Sequence, residues 1–133
     1  MPISQAARSA EQAHEALRTL AHTTRSIDDP TQIYDMLGSI SLGLASLEQA
    51  LHQVAELHDK PNRTHPRVES DARKGRAAAF SVSWELHRAA MMLHQVGETI
   101  NRAHQTEATI AYPPPAASLV PDGPSISRNG MSL

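Results

Sequence analysis

The sequence predicts an all-α protein: a three-helix, left-handed coiled-coil-like bundle that runs up-down-up, with a long third helix and a disordered Pro-rich C-terminal tail. Two observations favour this fold. Apolar or small residues recur every three or four positions in three separate segments, which is the heptad pattern of helices that pack along a seam. Aromatic residues make up only 3% of the chain, whereas strands of sandwiches and barrels are rich in aromatic and β-branched residues.

The first two predicted helices cover about residues 3–27 and 30–59. The first seam comprises Ile3, Ala6, Ala10, Ala13, Leu17, Leu20, Thr24 and Ile27. The second comprises Ile33, Leu37, Ile40, Leu44, Leu47, Leu51 and Val54. Asp29 followed by Pro30 is typical of a helix start, with an acidic cap and proline in the first turn. Residues 38–44 alternate with period two and include poor helix formers, yet we expect a helix there because the heptad continues on both sides.

The third predicted helix is the longest and covers about residues 66–109. Its seam comprises Val68, Ala72, Gly75, Ala79, Val82, Leu86, Ala89, Leu93, Val96, Ile100 and Ala103. At 1.5 Å per residue it would be about 65 Å long, against ~45 Å for the second helix. Either it begins near Arg76, after an extended loop, or its overhang packs on another chain. We favour the long helix, since structureless loops of more than about 12–15 residues are uncommon in compact domains.

The predicted domain organisation is a helical bundle over residues 1–111 and a flexible tail over residues 112–133. Five prolines follow Tyr112, together with glycines and serines. This composition cannot bury enough apolar surface to become ordered. The segment from Pro121 to Pro124 has a P-x-x-P spacing, which is common in such tails and indicates a plain tail more than a ligand.

Composition and charge exclude several classes of function. The chain has 133 residues, 12 Lys and Arg, 14 Asp and Glu and a formal charge of −2, so no strong overall field draws it to nucleic acid or an anionic membrane. It has no cysteine, which excludes disulfides and thiolate chemistry. No apolar run is long enough to span a membrane, and no secretory signal opens the chain. We expect a soluble cytoplasmic protein.

No motif predicts catalysis, a cofactor or a metal site. The chain has eight histidines, but none lies three or four positions from another, the spacing at which one helix offers two ligands to one ion. There is one E-x-x-H motif, Glu11 to His14, where di-iron bundles use two. No G-x-S-x-G motif and no Gly-rich phosphate loop is present. The sequence therefore predicts a protein that is not an enzyme.

Two surface features remain as candidate sites. A second stripe on the third helix, outside its seam, indicates either that this helix is wedged between other helices of a bundle or that it has a protein-binding surface rich in Trp and Met. With the overhang, the candidate surface comprises Phe80, Trp84, His87, Met91, Val96 and Ile100. A basic cluster near the second connection could contact phosphates, and it comprises Lys60, Arg63, Arg67, Arg73, Lys74 and Arg76.

These features favour a helical protein-protein interaction module. We expect it to pair with itself as a homodimer through the third helix, to bind another protein, or both. The alternative is a nucleic-acid-binding accessory protein that uses the basic cluster, which has no interleaved aromatic residues and no helix-turn-helix spacing.

Overall fold

The computed structural model describes residues 3–60 and 64–114, and this part of the chain folds into three α-helices. Helix α1 comprises Gln5–Thr23, α2 comprises Ile33–His58 and α3 comprises Ala72–Glu107. No strand occurs in these residues, only one isolated bridge, so the all-α prediction is confirmed. The chain divides into two compact units, one with α1 and one with α2 and α3. The single bundle, its up-down-up course and its left-handed packing stay predictions.

Helix α1 is shorter than predicted at its C-terminal end. It begins after Ser4, whose hydroxyl accepts a hydrogen bond from the amide of Ala7 at 3.0 Å. It ends at Thr23, and both the amide and the hydroxyl of Thr24 donate to the carbonyl of Leu20, at 3.0 and 2.8 Å. Its side chains are exposed apart from half-buried Leu20.

Helix α2 begins where the sequence places it. The carboxylate of Asp29 accepts from the amide of Thr31 at 3.0 Å and from its hydroxyl at 2.6 Å. A 3₁₀ turn, Pro30–Gln32, then leads into α2. The helix is continuous through residues 38–44, so the heptad pattern outweighs the local preference for a strand, as predicted.

Helix α3 begins six residues later than predicted, because the chain makes a tight turn first. The backbones of Val68 and Asp71 exchange hydrogen bonds at 3.1 and 2.8 Å. Between them, Glu69 and Ser70 have φ values of 53° and 65°, the left-handed pair of a type I′ turn. The Asp71 carboxylate then accepts from the amides of Arg73 and Lys74 and caps the helix. The heptad alone could not locate this start, since Val68 and Ala72 both fit its spacing.

After α3 the chain continues to residue 114 without a further helix. The hydroxyl of Tyr112 donates to the carboxylate of Glu107, the last residue of α3. Most of the predicted tail, residues 115–133, lies outside the described residues.

Helices α2 and α3 pack side by side and run antiparallel. Ser41 bonds to Asn101, Glu48 to His94 and Asp59 to Ser83, so partners advance along α2 as they recede along α3. The buried side chains of α2 and α3 are small, and they comprise Ala55, Ala79, Ser83 and Ala90. Small residues let the two backbones approach closely.

The contact between α2 and α3 keeps part of the predicted seam, where Leu44, Leu51, Leu86 and Leu93 are half-buried, and shifts by one residue elsewhere. Leu47, Val54, Val82 and Val96, which the heptad assigns to the seam, are 42 to 47% exposed. In each case the next residue is buried or half-buried instead; these are Glu48, Ala55, Ser83 and Gly97. Alternating steps of three and four allow either neighbour at these positions, and Ala55, Ser83 and Gly97 are smaller than the valines that precede them. Whether the four exposed residues belong to a three-helix seam stays a prediction.

Candidate interaction surfaces

One edge of the α2–α3 hairpin carries a row of polar contacts between the helices. We call it the polar edge, and it comprises Ser41, Glu48, His52, Asp59, Ser83, His87, His94 and Asn101. The Nδ1 atoms of His52 and His87 lie 2.7 Å apart. Glu48 Oε1 lies 3.3 Å from His94 Nδ1. Hydrogen bonds at this edge set the relative position of the two helices along their axes.

Asp59 contacts two side chains of α3 at the polar edge. The hydroxyl of Ser83, 2% exposed, donates to its Oδ1 atom, and Nε2 of His87 lies 3.2 Å from its Oδ2 atom. The hydrogen bond from Ser83, followed by the one from His87, holds the pKa of Asp59 below its usual value. Asp59 is therefore a carboxylate near neutral pH, and it anchors the end of α2 to the middle of α3.

An aromatic contact joins the start of α2 to the end of α3. The rings of Tyr34 and His104 stack with their centroids 4.0 Å apart. A Cβ atom on Gly38 would lie 3.3 Å from the His104 ring, so the glycine makes room for the imidazole. Polar and aromatic contacts thus run along this side of the hairpin from Tyr34 to Asp59.

The opposite side of the hairpin is apolar and exposed. We call it the apolar face; its large residues are 42 to 57% exposed, and they comprise Leu47, Val54, Leu57, Val82, Met92 and Val96. Successive helical residues are rotated by about 100°, so Leu47 and Glu48 diverge to opposite sides of the contact. The same holds for Val82 and Ser83. Because the helices are antiparallel, both apolar sets lie on the same side.

The six residues predicted for the partner-binding stripe do not form one surface. Phe80, Trp84 and Met91 are 52 to 64% exposed on the side of α3 that faces away from α2, and Arg88 lies 5.5 Å from the Trp84 ring centroid. The other three lie elsewhere. His87 belongs to the polar edge, Val96 to the apolar face, and Ile100 is half-buried between the helices.

The residues of the predicted basic cluster that the structure describes are all exposed; they comprise Lys60, Arg67, Arg73, Lys74 and Arg76. Arg63 lies outside the described residues. Lys74 pairs with Glu69 at 3.6 Å, and an Arg67 nitrogen lies 3.5 Å from the Ser70 carbonyl oxygen. Part of the positive charge is therefore neutralised within the turn that precedes α3.

Leu47, Val54 and Val82 are surface residues that the heptad pattern did not reveal, because it places them in the seam. One signal pointed to the other register: the polar residues Ser41, Glu48 and Ser83 each follow a predicted seam residue by one position and recur at heptad spacing. In residues 3–60 and 64–114 no group of three or more His, Cys, Asp or Glu side chains could hold a metal ion. None of the described helices is long and apolar enough to cross a membrane.

Comparison of the chain with models of protein families, with curated proteins and with solved structures finds no match.

Proposed function

We propose that this chain is a non-enzymatic helical interaction module that self-associates by pairing its apolar face with the same face of a second copy. The proposal rests on the observation that the α2–α3 hairpin has one polar side and one apolar side. Its polar side is engaged in hydrogen bonds between the helices, whereas its apolar side leaves leucine, valine and methionine side chains in water. Because these side chains are already about half buried, completing their burial gains each of them on the order of 1 kcal/mol, about half of the value for a fully exposed side chain.

The size of the apolar face suits a dimer. Its six large side chains leave on the order of 500 Å² exposed per copy, so a symmetric pair buries about 1,000 Å², the size at which specific interfaces begin. A contiguous apolar patch of this extent on a monomer is itself typical of a binding surface.

A two-fold dimer also fits the layout of the face. A two-fold interface uses the same patch on both copies, and both helices of the hairpin contribute to this patch: Leu47 and Val54 from α2, and Val82 and Val96 from α3. Face-to-face pairing of two hairpins gives a four-helix arrangement, in which each copy covers the other's apolar side.

Light scattering on the wild type and on charged variants of the face tests the proposal. We expect Leu47→Asp and Val82→Asp to give monomers of 14.4 kDa that keep the wild-type helical circular dichroism, because both side chains are already partly exposed. A wild type that stays monomeric at high micromolar concentration would overturn the proposal.

Met91→Asp is the matched control, because Met91 lies on α3 but outside the apolar face. We expect this variant to remain dimeric. Monomers from Met91→Asp, together with dimers from Val82→Asp, would assign self-association to the outer stripe of Phe80, Trp84 and Met91 instead.

A further inference from the structure

We propose that His52 and His87 form a two-histidine binding site for a divalent transition-metal ion of the Zn²⁺ class, which links α2 to α3 at the polar edge. The site is independent of the proposed self-association, because it lies on the side of the hairpin opposite the apolar face. His52 lies in the last third of α2 and His87 near the middle of α3. Neither depends on a loop for its position.

The two imidazoles already converge. Their Nδ1 atoms lie 2.7 Å apart and their ring centroids 5.0 Å apart. Two nitrogens that bind one tetrahedral Zn²⁺ at about 2.0–2.1 Å are about 3.4 Å from each other. Side-chain rotations that separate the two Nδ1 atoms by about 0.7 Å and turn their lone pairs towards one point would therefore admit the ion.

Asp59 prepares His87 for this role. Its Oδ2 atom lies 3.2 Å from Nε2 of His87, and the hydroxyl of Ser83 holds the carboxylate in place. A carboxylate that accepts the Nε2 proton leaves the lone pair of the ligand nitrogen on Nδ1. Histidine ligands of metals commonly have such a partner on the other nitrogen, which fixes the tautomer and raises the basicity of the ligand.

The donor set selects the class of ion. Two neutral imidazoles suit Zn²⁺, Ni²⁺ and Cu²⁺, whereas Mg²⁺ and Ca²⁺ prefer oxygen ligands. The described residues supply no third ligand at this point, so water completes the coordination. We therefore expect an exchangeable site that stabilises the hairpin when the ion is bound.

Titration calorimetry and thermal unfolding with ZnCl₂ as the probe test the proposal, with Mg²⁺ as the negative control. We expect one Zn²⁺ per chain and a melting temperature that rises with Zn²⁺ and returns on chelation. His52→Ala and His87→Ala each weaken binding at least about tenfold. Asp59→Asn weakens it about 10- to 100-fold, the usual effect of losing a partner of a metal-bound histidine. The matched control is His14→Ala on α1, which keeps wild-type affinity.

A spectroscopic readout on the wild type keeps the proposal falsifiable if a variant fails to fold. In long-range ¹H–¹⁵N spectra, Zn²⁺ should shift the Nδ1 resonances of His52 and His87 while Nε2 of His87 keeps its proton. Unchanged resonances would show that the pair shares only a proton, and wild-type affinity in both His→Ala variants would place Zn²⁺ elsewhere. Either result overturns the proposal.

Discussion

A Cβ atom on Gly75 would lie 1.9 Å from the carbonyl oxygen of Pro66. Gly75 is buried in the first turn of α3, and it is the residue against which the preceding segment lies. The neighbours that a methyl group would meet are backbone atoms of Pro66 and Arg67, which cannot rotate away as a side chain can. Glycine is therefore required here for close approach, and its helical φ shows that it is not required for a special backbone conformation.

We expect Gly75→Ala to displace the turn before α3 and to lower the free energy of unfolding by about 1–3 kcal/mol, the usual cost of overpacking. The matched control is Gly97→Ala in the same helix, where a Cβ atom would meet nothing within 4 Å. That variant should be more stable by up to about 1 kcal/mol, since alanine is the better helix former. Urea unfolding of both variants measures the difference. Equal stability of the two would contradict the contact with Pro66.

The sequence predicts elements better than it predicts contacts, and the reason is the packing of small residues. The start near Pro30 and the continuity of α2 follow from local signals that act within a few residues. Whether Ala89 or Ala90 lies in the contact with α2 depends on how closely the two helices approach each other. The same is true of Val82 and Ser83. A heptad contains no information on that distance, because both members of each pair keep the spacing of three and four.

For the candidate surfaces too, the sequence predicts features of single helices better than contacts between helices. The sequence left open whether Phe80, Trp84 and Met91 are buried between helices or exposed, and in the structure all three are exposed. The His52–His87 pair could not be predicted, because its members are 35 residues apart and come together only through the antiparallel register of the two helices. The usual sequence signal for paired histidines is their spacing within one helix, and this spacing cannot reveal a contact between two helices.

The hydrogen bonds of Asp59 predict a pH dependence of stability. Because contacts with Ser83 and His87 lower the pKa of Asp59 in the folded state, this carboxylate adds stability above its unfolded pKa, about 3.9, and loses it as the pH falls through the lower folded value. We expect Asp59→Asn to lower the melting temperature at pH 7. The difference from wild type should shrink as the pH falls below about 5 and go on shrinking as the pH falls through the lower folded pKa of Asp59.

Ser83→Ala removes the first of those donors, so its difference in melting temperature from wild type should also shrink as the pH falls. Both variants are measured in the presence of a chelator. A difference between wild type and Asp59→Asn that stays constant from pH 7 to pH 2 would mean that the charge of Asp59 is not what stabilises the contact.

We expect that the basic cluster takes no part in self-association. Arg67, Arg73 and Arg76 are exposed and lie outside the apolar face, so Arg→Glu at all three positions should leave the dimer intact in light scattering. We also expect no retention of the wild type on duplex DNA at physiological salt, because Asp59, Glu69 and Asp71 lie among the cations of the cluster and offset much of their charge. Retention that falls steeply with salt and disappears in the triple variant would favour the nucleic-acid-binding alternative.

The register of the α2–α3 contact can be tested with two neighbouring alanines. Ala90 is 0% exposed against α2, whereas Ala89, the residue that the heptad places in the seam, is only half-buried beside the apolar face. Ala90→Leu forces extra methyl groups between two closely packed helices and should lower the free energy of unfolding by about 1–3 kcal/mol. Ala89→Leu adds the same atoms where there is room for them, so its cost should be well under half of that. Chemical unfolding of the two variants at low micromolar concentration measures the contrast without interference from dimers. A larger loss in the free energy of unfolding for Ala89→Leu than for Ala90→Leu would favour the heptad register. Leu47 and Val82 would then lie in the seam, and the apolar face on which the proposed self-association depends would not exist.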